Sequence, residues 1–277
     1  MTISSPTHVD AATTTAILGA VRSSTPLVHC MTNTVVPEIT ANVLLAAGAA
    51  PAMIDLPEEA QIFAGIASAL LINVGNGSAE QHAGMRLAAP AAVAAGRPWV
   101  LDPVAVGGLP VRTALARELL AHRPTAVRAN ASEILGLVGD GAGGRGVDAT
   151  DEVDAAIGAA RHLNESCGAV VAISGPVDVV VSTGRLTRVT GGDALMPLVI
   201  GTGCALGATT AACLAAARGE GLSEHDAVVA AHALFGAAGL VAARSASGPG
   251  SFRTAWLDAL HALTPAEVGG LVAIEEA

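Results

Sequence analysis

The chain has 277 residues, 52% apolar and 14% charged, with a formal net charge of −10 at pH 7; the composition excludes disorder, and the charge argues against electrostatic partnership with nucleic acid or an anionic membrane. Aromatic residues contribute 2% and Tyr is absent, so the core is built from Ala, Val, Leu and Ile, and base-stacking modules are disfavoured. All 14 basic residues are Arg, which removes the P-loop lysine, the Schiff-base lysine and Ser–Lys nucleophile pairs.

Residues 1–10 are polar and lack a basic-flanked apolar stretch, so no secretory signal is expected. From there, apolar runs predict strands at 27–30, 52–54, 70–74, 99–101, 126–128 and 170–173. Helical stretches alternate with them at 34–47, 57–67, 79–95, 111–121, 131–137 and 152–166. Strands that are apolar throughout and separated by helix-length segments predict βαβ units and a largely parallel sheet covered on both faces. The stretch 139–146 is the most linker-like, but it is short, and one domain spanning 1–277 is expected. After Ser174 the pattern changes to two strands, 177–182 and 185–190, joined by Thr183-Gly184 as a hairpin. Helices at 204–217, 223–244 and 253–263 complete the chain. The uncharged run 194–217 is long enough to span a bilayer. Pro197, Gly201, Thr202 and Gly203 interrupt it, so a loop feeding a buried helix is the better reading, and no membrane partner is expected. Cys30, Cys167, Cys204 and Cys213 form no CxxC and no zinc-finger spacing. A reduced, cytoplasmic, soluble protein is expected.

Ligands of open α/β sheets bind outside the carboxyl ends of the strands. The residues there are unusually polar: His29 to Asn33, Asn73 to Gly77, Asp102-Pro103, Asn130 to Glu133, and Ser174-Gly175. One such segment is an ordinary capped turn; five together favour a site. The strongest local signal is Gly201-Thr202-Gly203-Cys204 opening a long small-residue helix. Its glycines let backbone amides face a ligand closely, and the helix N-terminus favours an anion. Without Lys, this amide nest is the best phosphate clamp in the chain. The same field is expected to favour the Cys204 thiolate, while Cys213 reads as core. Bland alternatives stand beside each residue. Met53 reads as core, and Arg128 as a surface cation. Glu133 fits N3 of a capping box, Asp102 an Asx turn, and His29 a hydrogen-bonded structural histidine.

These segments, in this order, resemble the hydroxyethylthiazole kinase family of the ribokinase-like superfamily. The likeness runs from Val28-His29-Cys30-Met31-Thr32-Asn33 to Gly248-Pro249-Gly250-Ser251-Phe252. Between them lie Ala41-Asn42, Leu44-Leu45-Ala46, Gly48-Ala49, Pro51, Met53, Leu101-Asp102-Pro103-Val104, Arg128, Asn130-Ala131, Glu133-Ile134, Arg145-Gly146-Val147-Asp148 and Gly201-Thr202-Gly203-Cys204. Cys after the glycine pair is the specific feature, because most ribokinase-like enzymes carry Asp there. The resemblance implies a three-layer α/β/α fold with a mostly parallel sheet and no separate lid domain. It implies ATP- and Mg²⁺-dependent phosphorylation of the hydroxyl of 4-methyl-5-(2-hydroxyethyl)thiazole. Carried over by position, Cys204 is catalytic, Met53 and Gly201 contact the thiazole substrate, Arg128 and Ser174 contact ATP, and Asp102 and Glu133 serve the metal. It also implies a homotrimer with sites between subunits, Met53 and the Asn33 region from one and Gly201 and Cys204 from the next. Three positions depart from the family pattern: Ser174 for Thr, Cys30 for a frequent Asn, and Ile200 for Thr before the glycine loop. The competing readings are a hydroxymethylpyrimidine kinase, an ADP/ATP-dependent hydrate dehydratase and a non-catalytic thiazole-binding protein. The first two are expected to carry Asp where Cys204 stands.

Overall fold

The computed structural model describes residues 11–139 and 149–277. Residues 1–10, the segment 145–148 and all of the 139–146 stretch but Gly139 lie outside the described residues. A helix not foreseen comes first, α1 (Ala11–Ser24). The expected alternation follows: β1 (Leu27–Met31), α2 (Pro37–Ala47), β2 (Ala50–Ala52), α3 (Pro57–Ile66), β3 (Ala69–Asn73) and α4 (Ala79–Ala94). It continues with β4 (Trp99–Asp102), α5 (Pro110–Leu120), β5 (Ala126–Asn130), α6 (Ala131–Val138), α7 (Ala149–Cys167) and β6 (Val170–Ser174). The hairpin of β7 (Val177–Ser182) and β8 (Arg185–Thr190) leads into α8 (Thr202–Glu220), α9 (Glu224–Ala243) and α10 (Pro249–Ala262). Two more unforeseen elements end the chain, α11 (Pro265–Leu271) and the edge strand β9 (Ala273–Glu276).

The strands form one sheet in the order β2-β1-β3-β4-β5-β6-β7-β8-β9. The first six run parallel and the last three add antiparallel. Side chains alternate across such a sheet. Leu70 and Ile72 therefore enter the layer built on α3 to α7, while Leu71 enters the layer of α1, α2, α8, α9 and α10. This is the three-layer α/β/α architecture, mostly parallel, that the strand pattern and the resemblance both led to. The chain runs outward from β1 to β2, then reverses past β1 to β3. Right-handed crossovers in opposite directions lie on opposite faces, so α2, leaving β1, and α4, leaving β3, lie on opposite faces and a crevice opens at the carboxyl ends of those strands.

Two boundaries differ from the sequence reading for physical reasons. The second strand is shifted from 52–54 to Ala50–Ala52, because Leu27 pairs with Ala50 and His29 with Ala52. Pro51 is tolerated there on an edge strand. Ile54 lies beyond it, its carbonyl accepting His29 Nε2–H at 2.7 Å. The second helix begins at Pro37, a favoured first position, rather than at residue 34. Asn33 Oδ1 accepts the Val35 amide at 3.1 Å and shapes the turn before it. Among the described residues one helix, α9, is long and apolar enough to cross a bilayer, and most of it is buried within the fold.

His225 of α9 makes stability pH-dependent. Its Nδ1 lies 2.7 Å from Ser182 Oγ and its Nε2 2.8 Å from Thr187 Oγ1. Burial, reinforced by the nearby Arg185, pushes its pKa down to about 4 from 6.5. The unfolded chain therefore binds the proton first, and stability present above pH 6.5 is lost as pH falls toward 4. Relative to His225→Gln, the native protein is expected to lose up to about 1.4 kcal/mol per pH unit across that window. Denaturant titrations of both proteins at pH 7, 5.5 and 4.5 check this; parallel pH profiles would refute it.

Candidate active site

Strand alternation places the site. Asn73, Asp102, Arg128 and Ser174 end or nearly end β3, β4, β5 and β6. Each is an even number of positions from an inward residue of the α8 layer: Leu71, Val100, Ala126 and Ala172. All four side chains therefore turn toward α8.

Helix α8 approaches them through its glycines. Gly201 is its N-cap with φ +93°, and no side chain caps the helix. A Cβ at Gly201 would collide with Ile39 Cγ2, and one at Gly203 would stand 2.9 Å from Arg128 Nη1. At 201 the backbone conformation demands glycine, and at 203 a side chain would push the Arg128 guanidinium from its place. The first intrahelical bond runs from the Ala205 amide to the Gly201 carbonyl at 2.8 Å. The amides of Thr202, Gly203 and Cys204 precede that ladder, the arrangement that receives an anion.

A continuous polar chain crosses the strand ends. Arg128 Nε–H donates to Ser174 Oγ at 3.0 Å, and Arg128 Nη1 lies 3.9 Å from Asp102 Oδ2. Asn73 Nδ2 donates to Asp102 Oδ2 at 2.8 Å, and Asn73 Oδ1 accepts from Asn33 Nδ2 at 3.1 Å. Asn33 Nδ2 also lies 3.4 Å from Cys204 Sγ. A cavity of about 710 Å³ opens beside this chain, lined by Arg128, Asn130, Ser174, Gly203, Leu206 and Phe235 among others. A second cavity, about 590 Å³, borders its other end at Thr34, Gly75 and Asn76.

The electrostatics alter one expectation. Cys204 was expected to favour its thiolate. Instead burial, reinforced by the negative charge of Asp102, pushes its thiol up to about 11; hydrogen bonds from Asn73 and Asn33 and the charge of Arg128 only partly oppose this. Desolvation of the sulfur thus outweighs both the helix field and the opposing hydrogen bonds. Asp102 is fully buried, and that burial pushes its carboxyl up to about 7, with Glu133 acting in the same direction and Arg128 and Asn73 against it. Its Oδ1 is buried without a hydrogen-bond partner.

An unpartnered carboxylate oxygen beside an anion-receiving helix end suits a hard cation shared with phosphates. Among the described residues no group of three or more His, Cys, Asp and Glu could hold a metal ion by itself. Glu133 is differently placed. It is N3 of α6 in a capping box with Asn130. Its Oε1 accepts the Ala105 amide and its Oε2 the Asn130 amide, both at 2.9 Å. Each oxygen keeps a second lone pair for a water-borne contact.

The structure thus brings Cys204, Asp102, Arg128 and Ser174 together, puts Gly201 at the mouth of α8, and leaves Glu133 one step behind. Met53 stands apart, 37% exposed on the loop after β2. The division that assigned the Asn33 region and Cys204 to different subunits does not hold, since the two meet within one chain. Asn73 is absent from the site expected from sequence, and Asn33 enters that expectation only as part of a region. Their signal was their position in two of the polar strand-end segments. His29 is structural, and Cys213 is buried core.

The profile of the hydroxyethylthiazole kinase family matches residues 18–266. Hydroxyethylthiazole kinase of Corynebacterium glutamicum (strain R) is 55% identical over 260 residues, covering 94% of this chain and 97% of that protein. The solved hydroxyethylthiazole kinase of Pyrococcus horikoshii OT3 superposes with a TM-score of 0.86 at 31% identity, over 95% of this chain and 98% of that one. Pyridoxal kinase of Staphylococcus aureus, solved with pyridoxal, shares the fold at a TM-score of 0.58 and 19% identity, over 77% and 87% of the two chains.

Proposed function

The chain belongs to the hydroxyethylthiazole kinase family, and from that membership we propose its reaction in detail. It transfers the γ-phosphoryl group of ATP to the primary hydroxyl of 4-methyl-5-(2-hydroxyethyl)thiazole, salvaging the thiazole unit for thiamine diphosphate. The observation that carries this reading is the unbroken chain Ser174–Arg128–Asp102–Asn73–Asn33–Cys204 at the mouth of α8.

Phosphoryl transfer asks mainly for positioning and charge neutralisation. Arg128 and Ser174 hold the nucleotide in the 710 Å³ cavity, and the amides of Thr202 to Cys204 receive charge on the transferring group. Asp102 Oδ1 would hold Mg²⁺ directly and Glu133 through water. An Mg²⁺ ion bound there with ATP would supply neutralisation of the charge that develops on the phosphates. Cys204, with its thiol held protonated at neutral pH, and Asn33 orient the acceptor hydroxyl. Gly201 lets the loop close on the substrate, and the Met53 thioether packs on the sulfur heterocycle.

We also read the chain as a single catalytic domain that assembles as a homotrimer, with Met53 completing a neighbour's site. Apolar side chains flank the site in the open: Ile200 is 66% and Leu198 64% exposed, surface that association would cover. ATP as co-substrate and four free thiols suit the cytoplasm.

The test is a coupled ADP-release assay on purified protein with Mg²⁺ and ATP. The thiazole alcohol, a hydroxymethylpyrimidine or no acceptor is supplied in turn. Turnover is expected with the thiazole alcohol alone. Preference for the pyrimidine alcohol, or no turnover with any acceptor, would overturn the assignment. Light scattering at assay concentration should report three subunits; a fully active monomer would end the shared-site reading.

A further inference from the structure

Asp178 sits awkwardly for a cavity that receives a polyanion. It lines the same 710 Å³ cavity as Arg128 and Ser174, where a free carboxylate would repel phosphate. Its oxygens are not free. Oδ1 accepts the Gly175 amide at 2.9 Å, and Oδ2 lies 2.7 Å from His232 Nδ1. His232, midway along α9, is fully buried, and its Nε2 has no hydrogen-bond partner. One proton on Nδ1 satisfies the pair and leaves only a lone pair unpartnered, a tautomer assigned from the bonding. Gly175 follows Ser174 directly. A Cβ at 175 would stand 2.5 Å from Val153 Cγ2, so the backbone is wedged against α7 while Asp178 holds its amide. Ser174 Oγ in turn accepts Arg128 Nε–H at 3.0 Å, which leaves Nη1 beside Gly203 and 3.9 Å from Asp102.

We propose that His232 and Asp178 are positioning residues for the nucleotide. The buried imidazole orients the carboxylate, the carboxylate fixes the turn after β6, and the turn sets the Ser174 hydroxyl that aims the Arg128 guanidinium at phosphate. The inference rests on the kinase reading of this cavity. Both oxygens of this acidic residue are engaged by donors from the protein. A pair that merely fastened α9 to β7 would affect stability and both substrates alike. A positioning pair affects the nucleotide selectively.

The experiment compares wild type with His232→Leu, His232→Asn and Asp178→Ala. Initial rates are varied in ATP and in the thiazole alcohol, and ADP binding is measured by calorimetry without acceptor. His232→Leu and Asp178→Ala are expected to raise the ATP KM and the ADP Kd roughly tenfold, the loss of one charge-assisted hydrogen bond. The alcohol KM and kcat at saturating ATP should stay within about twofold, the scatter of non-contacting substitutions. In His232→Asn the amide nitrogen takes the place of Nδ1, and ATP affinity should return toward wild type. Unchanged ATP KM and ADP Kd in His232→Leu and Asp178→Ala would overturn the proposal. So would equal loss for both substrates with no rescue by Asn. If His232→Leu does not fold, Asp178→Ala on the cavity side decides. Calorimetry keeps the two readings separable: a protein inactive on the thiazole alcohol still reports whether the dyad governs ADP binding.

Discussion

Asp102→Asn is expected to lower turnover by roughly 10²–10³-fold and, in the same protein, to raise the melting temperature of the ligand-free state at pH 8. The two effects have one cause. Asp102 is fully buried, its Oδ1 has no partner, and burial pushes its carboxyl up to about 7. Above that pH the folded chain carries a charge it solvates badly, at a cost on the order of 2–4 kcal/mol. Asn removes the charge and can still accept the Asn73 bond with its oxygen. It leaves one amide edge unpaired, a penalty of about 1–3 kcal/mol, so a net gain of about 1 kcal/mol remains, or ~2–4 °C for a chain of this size. A carboxyl with a raised folded-state pKa destabilises increasingly as pH climbs from its unfolded value, so the advantage of Asn should shrink at pH 5.5. Activity is lost because the neutral amide cannot complete a hard-cation site with phosphate oxygens. Thermal melts at pH 5.5 and 8 and steady-state rates test both halves. A variant no more stable at pH 8, or with kcat within tenfold of wild type, would contradict the argument.

Cys204→Ala is expected to reduce kcat by roughly 10–10²-fold, at or below the low end for a positioned proton acceptor, while changing the ATP KM less than about twofold. With the thiol pushed up to about 11, fewer than about one molecule in a thousand carries a thiolate at pH 7.5. The residue then acts chiefly by orienting the acceptor hydroxyl beside Asn33, whose Nδ2 lies 3.4 Å from the sulfur. In the proposed reaction Arg128 and Ser174 hold the nucleotide elsewhere, hence the unequal effect on KM and kcat. Cys204→Ser should resemble Ala. Cys204→Asp should retain more turnover than Ala where the side chain fits, as an ionised carboxylate is the group most ribokinase-like enzymes place here. Wild-type kcat is expected to show no ionisation near 8.5, the value of an unperturbed thiol. Near-wild-type kcat for Cys204→Ala would make the sulfur a packing residue and leave the reaction to amides and cation.

The sequence by itself determined the layers and the edge on which the site lies. Apolar runs such as Leu70 to Ile72 can be strands only if both faces are covered, and the polar residues after them can belong only to the carboxyl edge. These are local properties, readable without knowing which strands are neighbours. The glycine pair before Cys204 is local in the same sense, because a backbone that must approach an anion needs residues without side chains. Pairings across the chain were decided by tertiary structure alone. Asn33 and Cys204 are 171 residues apart, and His232 and Asp178 are 54 apart. Each pair meets only because β1 lies between β2 and β3 and because α8 and α9 lie over the sheet. The ionisation state of Cys204 belongs to the same class. A helix start argues for a thiolate, but burial and the proximity of Asp102 reverse that expectation, and neither is a property of adjacent residues. Local pattern sets which groups stand at the edge; the distance between groups on different strands and helices, which governs both hydrogen bonding and charge, exists only once the layers have packed.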